Sequence, residues 1–400
     1  MKVFKFGGAS VKDAAAVKNV SAILARFPNQ KLVVVVSAMG KTTNKLEELI
    51  EALYAQDHRI YAGLLDDIKA YHYEIAAGLF AEKHFHIYKE LEDIFEHLAQ
   101  LFFKPLADNR SFQYDQIIAI GELISSKMLA AFLKDQGYSA AWLDAKSIIR
   151  TDNQYQEAQV DWSKTKELCS QKVLPMLAKE AIAVTQGFIG HTSEGFTTTL
   201  GREGSDYSAG ILAYCCEAES VTIWKDVPGM LNADPKYFEK TQLLSQISFK
   251  EAIELSYYGA SVIHPKTVQP LQQKNIPLYV RSFVDPEAPG TTISAAAERD
   301  AEAVANGGED DDHDTRRLPT KRRMEIVMKN KGEANELFSD GNYKFVFVSG
   351  SYDQTGGRAL GARLFVDNIT APPTPNPALR KKAIAKRGLV LRRIDPCRRG

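Results

Sequence analysis

Cysteine is scarce in this sequence, with four residues among 400. Cys169, Cys215, Cys216 and Cys397 have spacings that fit neither a metal site nor the disulfide framework of a secreted protein. We therefore expect a protein of a reducing compartment, the cytoplasm. Met1 leads directly into a strand-like segment, so the sequence predicts no signal peptide, and we expect no apolar run that spans a bilayer.

Net charge is also absent, since 50 Lys and Arg balance 50 Asp and Glu. The whole chain therefore gives no argument for binding to nucleic acid or to an anionic membrane. From His313 to the end, however, 19 basic residues face 8 acidic ones, so this stretch carries +11 and residues 1–312 carry −11. The basic end has no interleaved aromatics and no RNA-binding motif, so we interpret it as a solvated face rather than a nucleic-acid site.

Two common phosphate-binding motifs are missing. The sequence contains no G-x-x-x-x-G-K-[ST], and no G-x-G-x-x-G follows the first predicted strand, which excludes a P-loop and an ordinary dinucleotide fingerprint. What is present is an alternation of buried strands with helical patterns over nearly 300 residues. Strands are predicted at residues 2–6, 31–36, 116–121, 181–187 and 220–227. This order predicts an α/β protein with a mainly parallel sheet.

Polar loops follow several of these strands, at residues 7–10, 37–44, 187–206 and 225–236. Ligands of open α/β sheets bind at such strand ends. Two loops bring glycines to a predicted helix start, where free N–H groups favour an anion, and Lys5 and Arg202 add positive charge. Taken singly, each loop also fits a structural turn, and Arg202 with Asp206 also fits an ordinary ion pair. Together they suggest one long polyanion, such as a nucleoside triphosphate.

Five motifs then occur in a characteristic order and spacing. They are KFGGASV at 5–11, GELISS at 121–126, TTTLGREGSDYSA at 197–209, WKDVPGMLNADP at 224–235 and YYGASVIHPKT at 257–267. Over about residues 1–294 the chain resembles the aspartate kinases of the amino-acid kinase superfamily. The resemblance implies a three-layer αβα fold with a mainly parallel central sheet. It also implies transfer of the γ-phosphoryl of ATP to the β-carboxylate of L-aspartate, which forms 4-phospho-L-aspartate on the route to lysine, threonine and methionine.

The resemblance also implies a role for each motif residue. Phosphate binding falls to Lys5, Gly7 and Gly8, and catalysis to Lys5 with Asp206. The substrate amino acid would be bound by Thr43, Glu122, Arg202 and Ser205. The nucleotide would further contact Lys225, Asp226, Leu231, Lys236 and Ser261. Mg²⁺ would lie mainly on the ATP phosphates and water rather than on protein ligands, and the family implies a homodimer.

Four positions depart from the pattern that the resemblance implies. Glu203 stands where many relatives have glycine, and we expect its side chain to point outward. Lys225 replaces a frequent threonine, Leu231 a frequent tyrosine and Ser261 a frequent lysine.

The composition of the chain changes after residue 294. Residues 295–323 are polar and turn from acidic to basic, as in a linker. Residues 324–400 predict the order βαββαβ of a ferredoxin-like unit. Aspartate kinases usually end in two ACT domains, so this basic region is interpreted either as one divergent ACT-like unit or as a foreign segment.

Two other functions stay open at this point. The chain could be another superfamily kinase, acting on glutamate, N-acetylglutamate or UMP, or a non-catalytic nucleotide sensor whose basic tail binds a polyanion. Glu122 with Arg202 favours a free amino acid as substrate, because the two side chains complement an ammonium and a carboxylate. The presence of Lys5, Arg202 and Asp206 together argues against a sensor without catalysis.

Overall fold

The computed structural model describes residues 1–80, 85–232, 241–257, 262–297, 347–350 and 362–365. The chain divides into two compact units. The first comprises Met1–Met230, Ser245–Ile253 and Ser261–Ala297, and the second comprises Leu231–Leu244, Glu254–Ala260 and Glu298–Gly400. Apart from two short antiparallel strands, the predicted linker and βαββαβ region lies outside the described residues from position 298 onward.

The strands of the described residues are β1 (Lys2–Phe6), β2 (Leu32–Val36), β3 (Ala140–Leu143), β4 (Ile182–Gln186), β5 (Ile189–His191), β6 (Thr197–Thr199), β7 (Ser220–Lys225), β8 (Gln246–Ile247), β9 (Leu278–Ser282), β10 (Thr291–Ile293), β11 (Phe347–Gly350) and β12 (Ala362–Phe365). Four of the five strands predicted before residue 294 are present, as β1, β2, β4 and β7, and the fifth is discussed below. Eight strands form one sheet in the order β3-β4-β2-β1-β7-β9-β10-β8. It is parallel up to β9, where β10 pairs antiparallel. The predicted mainly parallel sheet is confirmed.

Helices connect these strands. They are α1 (Ala14–Ala25), α2 (Thr42–Tyr54), α3 (His58–Leu79), α4 (Phe85–Leu101), α5 (Arg110–Ile118), α6 (Ile120–Asp135), α7 (Trp162–Leu168), α8 (Leu174–Lys179), α9 (Gly204–Cys216), α10 (Phe249–Tyr257) and α11 (Pro265–Gln273). Parallel strands need such crossovers, because their ends lie at opposite edges of the sheet.

The sheet of the first unit is covered on both faces. Side chains alternate between the faces of a strand, and Phe4, Phe6 and Trp224 belong to the apolar cluster that helices α1 to α6 complete. Residues of the opposite parity, such as Val3 and Ile223, are also fully buried, on the face where α9 contacts β1, β2 and β7. The three-layer αβα arrangement is therefore confirmed, and Lys5 shares the α9 face.

The predicted strand at residues 116–121 is wrong, because this run lies in α5 and α6. A short apolar run fits a buried helix as well as a buried strand. The Asn109 side chain caps α5 by accepting a hydrogen bond from the Phe112 amide at 3.1 Å. One turn later, the Gln116 amide group pairs with both backbone groups of Thr197. Helix formation is thus favoured by a cap and by contacts about 80 residues away in the sequence.

The same helices correct a second expectation. Within the part of the chain that the structure describes, the stretch Arg110–Asp135 is long and apolar enough, by length and composition, to cross a membrane. The sequence does not reveal this stretch, because residues 116–121 within it are predicted to form a strand. The structure buries 78% of its most apolar window inside the fold, as is usual for the core helices of a folded domain.

Asp115 connects α5 to the hairpin of β5 and β6. This fully buried carboxylate accepts hydrogen bonds from the Thr199 amide at 2.8 Å, the Thr199 hydroxyl at 2.9 Å and the Gln156 amide at 3.0 Å. Burial nevertheless outweighs these donors and raises the pKa of Asp115 to about 6. Thr199 lies two residues before Gly201, so Asp115 anchors the chain that enters the glycine-rich 201–206 loop.

We expect Asp115→Ala to lower the free energy of unfolding by roughly 3 kcal/mol, because the two buried donors of Thr199 and the half-buried amide of Gln156 lose their acceptor. Urea unfolding measures this change. Asp108→Ala, at an exposed position just before the same helix, is the matched control and should stay within about 0.5 kcal/mol of the parent chain. Equal stability of the two variants would contradict an anchoring role for Asp115.

Candidate active site

Four of the predicted polar loops begin at one edge of the sheet. Strands β4, β2, β1 and β7 are consecutive parallel neighbours, so their carboxyl ends lie side by side. A cavity of about 490 Å³ lies at this edge. Six residues predicted for the site line it, namely Lys5, Thr43, Glu122, Arg202, Ser205 and Asp206. The structure therefore brings together motifs that are up to 200 residues apart.

Asp206 lies between two lysines. Its Oδ1 is 2.7 Å from Lys5 Nζ, and its Oδ2 is 3.1 Å from Lys225 Nζ. Strand register explains this convergence, because Lys5 pairs with Ile223. Lys225 is two residues further along and thus projects from the same face. The α9 helix, which carries Asp206 in its first turn, packs on that face.

The charge state of this cluster follows from its surroundings. Burial by itself would raise the pKa of Asp206, but Lys5 and Lys225 outweigh it and hold the pKa below the ordinary value. The position of Asp206 near the N-terminus of α9 also favours the charged form. The side chain of Asp206 is fully buried, and those of Lys5 and Lys225 are 8% and 18% exposed. An ionised carboxylate thus holds two ammonium groups at the strand ends.

Glu122 is a buried carboxylate on α6. Its Oε1 accepts a hydrogen bond from the Ala38 amide at 3.2 Å, whereas its Oε2 has no hydrogen-bond partner among the described residues. Burial raises the pKa of Glu122 to about 7, although the Ala38 amide and the charge of Lys5 act in the opposite direction. A buried carboxylate oxygen without a partner is costly, so this atom suits a cationic ligand group in the cavity.

The first glycine loop differs in detail from the prediction. Gly8–Val11 forms a 3-10 turn, and α1 begins only at Ala14, where the Asp13 side chain accepts from the Ala16 amide at 2.7 Å. A helical turn does start at the glycines as predicted, but it is a short 3-10 turn, and the longer helix starts at Ala14. Gly8 is required by close backbone contact, because a Cβ there would lie 2.7 Å from the Ala38 carbonyl oxygen. A Cβ at Gly7 would lie 3.5 Å from Lys5 Nζ, which places that glycine beside the lysine.

The second glycine loop is shorter than predicted, because α9 begins at Gly204. Ser205 and Asp206 therefore belong to the first helical turn. Arg202 is exposed on the cavity wall and forms no ion pair with any other residue the structure describes, so the alternative of an Arg202–Asp206 pair is wrong. Glu203 was expected to point outward, but it lines the cavity with its Oε2 3.9 Å from Lys225 Nζ.

Of the five further residues expected to contact the nucleotide, the structure describes three. Lys225 reaches Asp206, as described above. Asp226 follows β7 and is exposed. Leu231 belongs to the second compact unit, where it forms a bridge with Leu243. Lys236 and Ser261 lie outside the described residues.

Sequence reasoning missed several residues of the cavity wall, among them Ser37, Glu47, Tyr114 and Glu157. Two of these residues could have been identified from the sequence. Ser37 follows β2 directly, at a strand end where ligands bind. Glu47 is four residues after Thr43 on α2 and therefore shares its helix face. Tyr114, which donates a hydrogen bond to Glu47 at 2.8 Å, was masked by the wrong strand assignment nearby.

Comparison with known proteins agrees with this architecture. Residues 1–282 match the Amino acid kinase family. The chain is 35% identical over 291 residues to Lysine-sensitive aspartokinase 3 of Escherichia coli, covering 73% of this chain and 63% of the relative. It is also 35% identical over 303 residues to Aspartokinase 3, chloroplastic, of Arabidopsis thaliana, covering 73% and 52%. The chain thus spans less than two thirds of the length of these relatives.

A solved structure shows the same fold. The crystal structure of E. coli aspartokinase III in complex with aspartate and ADP superposes with a TM-score of 0.66 at 34% identity, covering 74% of this chain and 64% of that one. A Clostridium acetobutylicum aspartate kinase superposes with a TM-score of 0.60 at 29% identity, covering 74% and 63%. The predicted family resemblance is confirmed. With its matched family region covering residues 1–282, its parallel sheet and its strand-end cavity, this chain belongs to the amino acid kinase family.

Proposed function

We propose that this protein transfers the γ-phosphoryl group of ATP to the β-carboxylate of L-aspartate and forms 4-phospho-L-aspartate. The observation that carries the proposal is the buried Glu122 Oε2, which has no hydrogen-bond partner in the part of the chain that the structure describes and lies at a cavity that Arg202 and the Lys5–Asp206 pair also line. Glu122 complements the ammonium of a free amino acid, and Arg202 complements a carboxylate. A lysine at the same cavity complements a phosphoryl group.

The proposed chemistry explains why the cavity has so much charge. A carboxylate nucleophile has a pKa near ~4 and is ionised at neutral pH, so it needs no general base. The barrier is the approach of one anion to another, which positioning and positive charge must lower. Lys5 supplies this charge, and Asp206 holds the Lys5 ammonium in place. Thr43 and Ser205 line the same cavity and would orient the amino acid.

The chain also has features that fit a nucleotide. Gly8 keeps the backbone close to that of Ala38, and Gly7 lies beside Lys5 Nζ, which suits a phosphate chain. Among the described residues no group of three or more acidic, His or Cys side chains could hold a metal ion. The resemblance implies that Mg²⁺ would be bound mainly by the nucleotide, where it would neutralise phosphate charge.

A hydroxamate assay tests the proposed function. The full chain is incubated with Mg-ATP and hydroxylamine, which traps acyl phosphates, and with aspartate, glutamate or N-acetylglutamate in turn. We expect ATP-dependent hydroxamate with aspartate alone. Product with glutamate or N-acetylglutamate instead would assign the chain to another branch of the family, and no product with any of them would contradict the proposal.

Arg202→Lys should raise the aspartate KM by about tenfold or more, with a much smaller change in the ATP KM. Lysine keeps the charge but loses the planar fork that binds a carboxylate bidentately. Arg59→Lys, at an exposed position on α3, is the control and should behave like the parent chain. Unchanged aspartate kinetics with weakened ATP binding would reverse the two proposed subsites.

We further propose residues 1–294 as the catalytic domain, followed by the linker 295–323 and the basic region 324–400. The product would enter the synthesis of lysine, threonine and methionine. A homodimer is proposed for the assembled protein, because the resemblance implies subunit pairing. These assignments rest on the resemblance and on the relatives with which the chain aligns.

A further inference from the structure

The Glu203 side chain adds a second carboxylate to the lysine cluster. Its Oε2 lies 3.9 Å from Lys225 Nζ, and its side chain is 33% exposed. Lys225 therefore stands between the carboxylates of Asp206 and Glu203, at 3.1 Å and 3.9 Å. A lysine that is 18% exposed and has two acidic neighbours is already neutralised before any ligand arrives.

The charges of the cluster balance only with Glu203 included. Lys5, Lys225 and Asp206 together carry +1, which is suited to an anionic ligand. Glu203 brings the sum to zero. Its carboxylate thus takes the electrostatic role that one phosphate oxygen of a nucleotide would have in the same place.

The two carboxylates differ in their freedom to move. Asp206 is fully buried in the first turn of α9 and lies against both lysines. Glu203 precedes this helix, has a left-handed backbone with φ 54°, and its side chain reaches solvent. Of the two acidic groups, Glu203 alone can leave Lys225 without breaking the buried core of the site.

We propose that Glu203 is an internal counter-anion, which pairs with Lys225 in the free protein and is displaced by a phosphate group of the bound nucleotide. Lys225 then becomes a second phosphate-binding cation beside Lys5. Glu203 weakens phosphate binding, because the ligand must compete for Lys225. The inference concerns the phosphate subsite of the proposed function, but it requires only that a polyphosphate binds at the cluster of Lys5 and Lys225.

Isothermal titration of the full chain with sodium tripolyphosphate tests the inference without any catalytic turnover. Glu203→Gln should tighten binding about three- to fivefold, the range of a partly exposed ion pair. Lys225→Met should weaken binding by about tenfold. The double variant Glu203→Gln/Lys225→Met should bind tripolyphosphate within about twofold of Lys225→Met alone. Without Lys225, Glu203 and the phosphate no longer compete for the same cation.

Glu217→Gln is a closely matched control. Glu217 lies at the other end of α9, also has a left-handed φ, of 53°, and pairs with Lys166 and Lys274. This substitution should leave tripolyphosphate affinity unchanged. Lys225→Arg keeps the cation and should preserve the effect of Glu203→Gln, which guards against misfolding of the methionine variant.

Two outcomes would overturn the inference. If Glu203→Gln leaves the affinity unchanged, Glu203 does not compete with phosphate. If it tightens binding equally in the parent and the Lys225→Met background, Glu203 acts by repulsion through space and not by occupying Lys225. A chain that shows the expected binding pattern but gives no hydroxamate with aspartate would refute the proposed function alone.

Discussion

Lys5→Met is expected to lower kcat by about 10²–10³, the usual loss for one preorganised charge contact in a transition state. Lys5 Nζ lies 2.7 Å from the buried Asp206 carboxylate, so its ammonium is held at the cavity rather than moving freely. Methionine keeps the length of the side chain but removes the charge. The ATP KM should change less than kcat, because the proposed phosphate contacts of the glycine loop and Lys225 would remain.

Steady-state kinetics with both substrates varied measures this effect, and Lys2→Met on the same strand is the control. Asp206 would keep Lys225 as a counter-ion, so the variant should fold, but with a higher pKa of Asp206. A carboxyl group whose pKa is lower in the folded than in the unfolded state stabilises the fold at pH values above its unfolded pKa. The variant, which loses part of this effect, should therefore be less stable than the parent at neutral pH. Turnover close to that of the parent would exclude Lys5 from catalysis.

Glu122→Gln is expected to weaken aspartate binding and to stabilise the free protein at the same time. The pKa of Glu122 is raised by burial to about 7 from 4.5. The folded state therefore binds this proton more tightly than the unfolded chain does. The resulting stability is complete below about pH 4.5 and is lost as the pH rises through 7.

At pH 8 the parent chain thus carries the cost of a buried, partly unpaired carboxylate, roughly 3 kcal/mol if the whole pKa shift is counted. Glutamine removes this charge, and its side-chain oxygen can still accept from Ala38. We expect a higher unfolding midpoint for Glu122→Gln at pH 8 and little difference at pH 4.5. Aspartate should restore stability to the parent more than to the variant, because ligand binding stabilises only the folded state that binds it.

Thermal unfolding at the two pH values, with and without aspartate, measures this pattern, and the aspartate KM should rise at least tenfold. Glu74→Gln, at an exposed position on α3, is the control. A loss of stability at pH 8 in the Glu122 variant would mean that the carboxylate has a structural partner, and the proposed ammonium subsite would then be wrong.

Much of the sheet could be predicted from the sequence, because strands buried on both faces appear as continuous apolar runs. LVVVV in β2 and the strand SVTIWK in β7 are examples. The same logic failed at residues 116–121, where an equally apolar run forms helices. Its conformation depends on the Asn109 cap and on the two hydrogen bonds between Gln116 and Thr197. The second of these contacts joins distant parts of the chain and leaves no trace in the hydrophobic periodicity.

The site was predictable to a similar degree. Motif resemblance selected six residues that line one cavity, because parallel strands bring their carboxyl ends to one edge. It misjudged the direction of Glu203 and did not foresee that Lys225 pairs with Asp206. The cytoplasmic location, the homodimer and the ACT-like interpretation of the basic region remain predictions.

The sequence by itself determined four parallel strands of the sheet, the polar loops that follow them and the side chains that these loops contain, since a strand buried on both faces appears as a continuous apolar run. Only the tertiary structure decided which charges meet. Lys5 and Lys225 are 220 positions apart and converge on Asp206 because β1 and β7 are neighbours with Lys5 opposite Ile223. A shift of that register by one residue would turn Lys225 toward the opposite face of the sheet, and the lysine pair around Asp206 would not form.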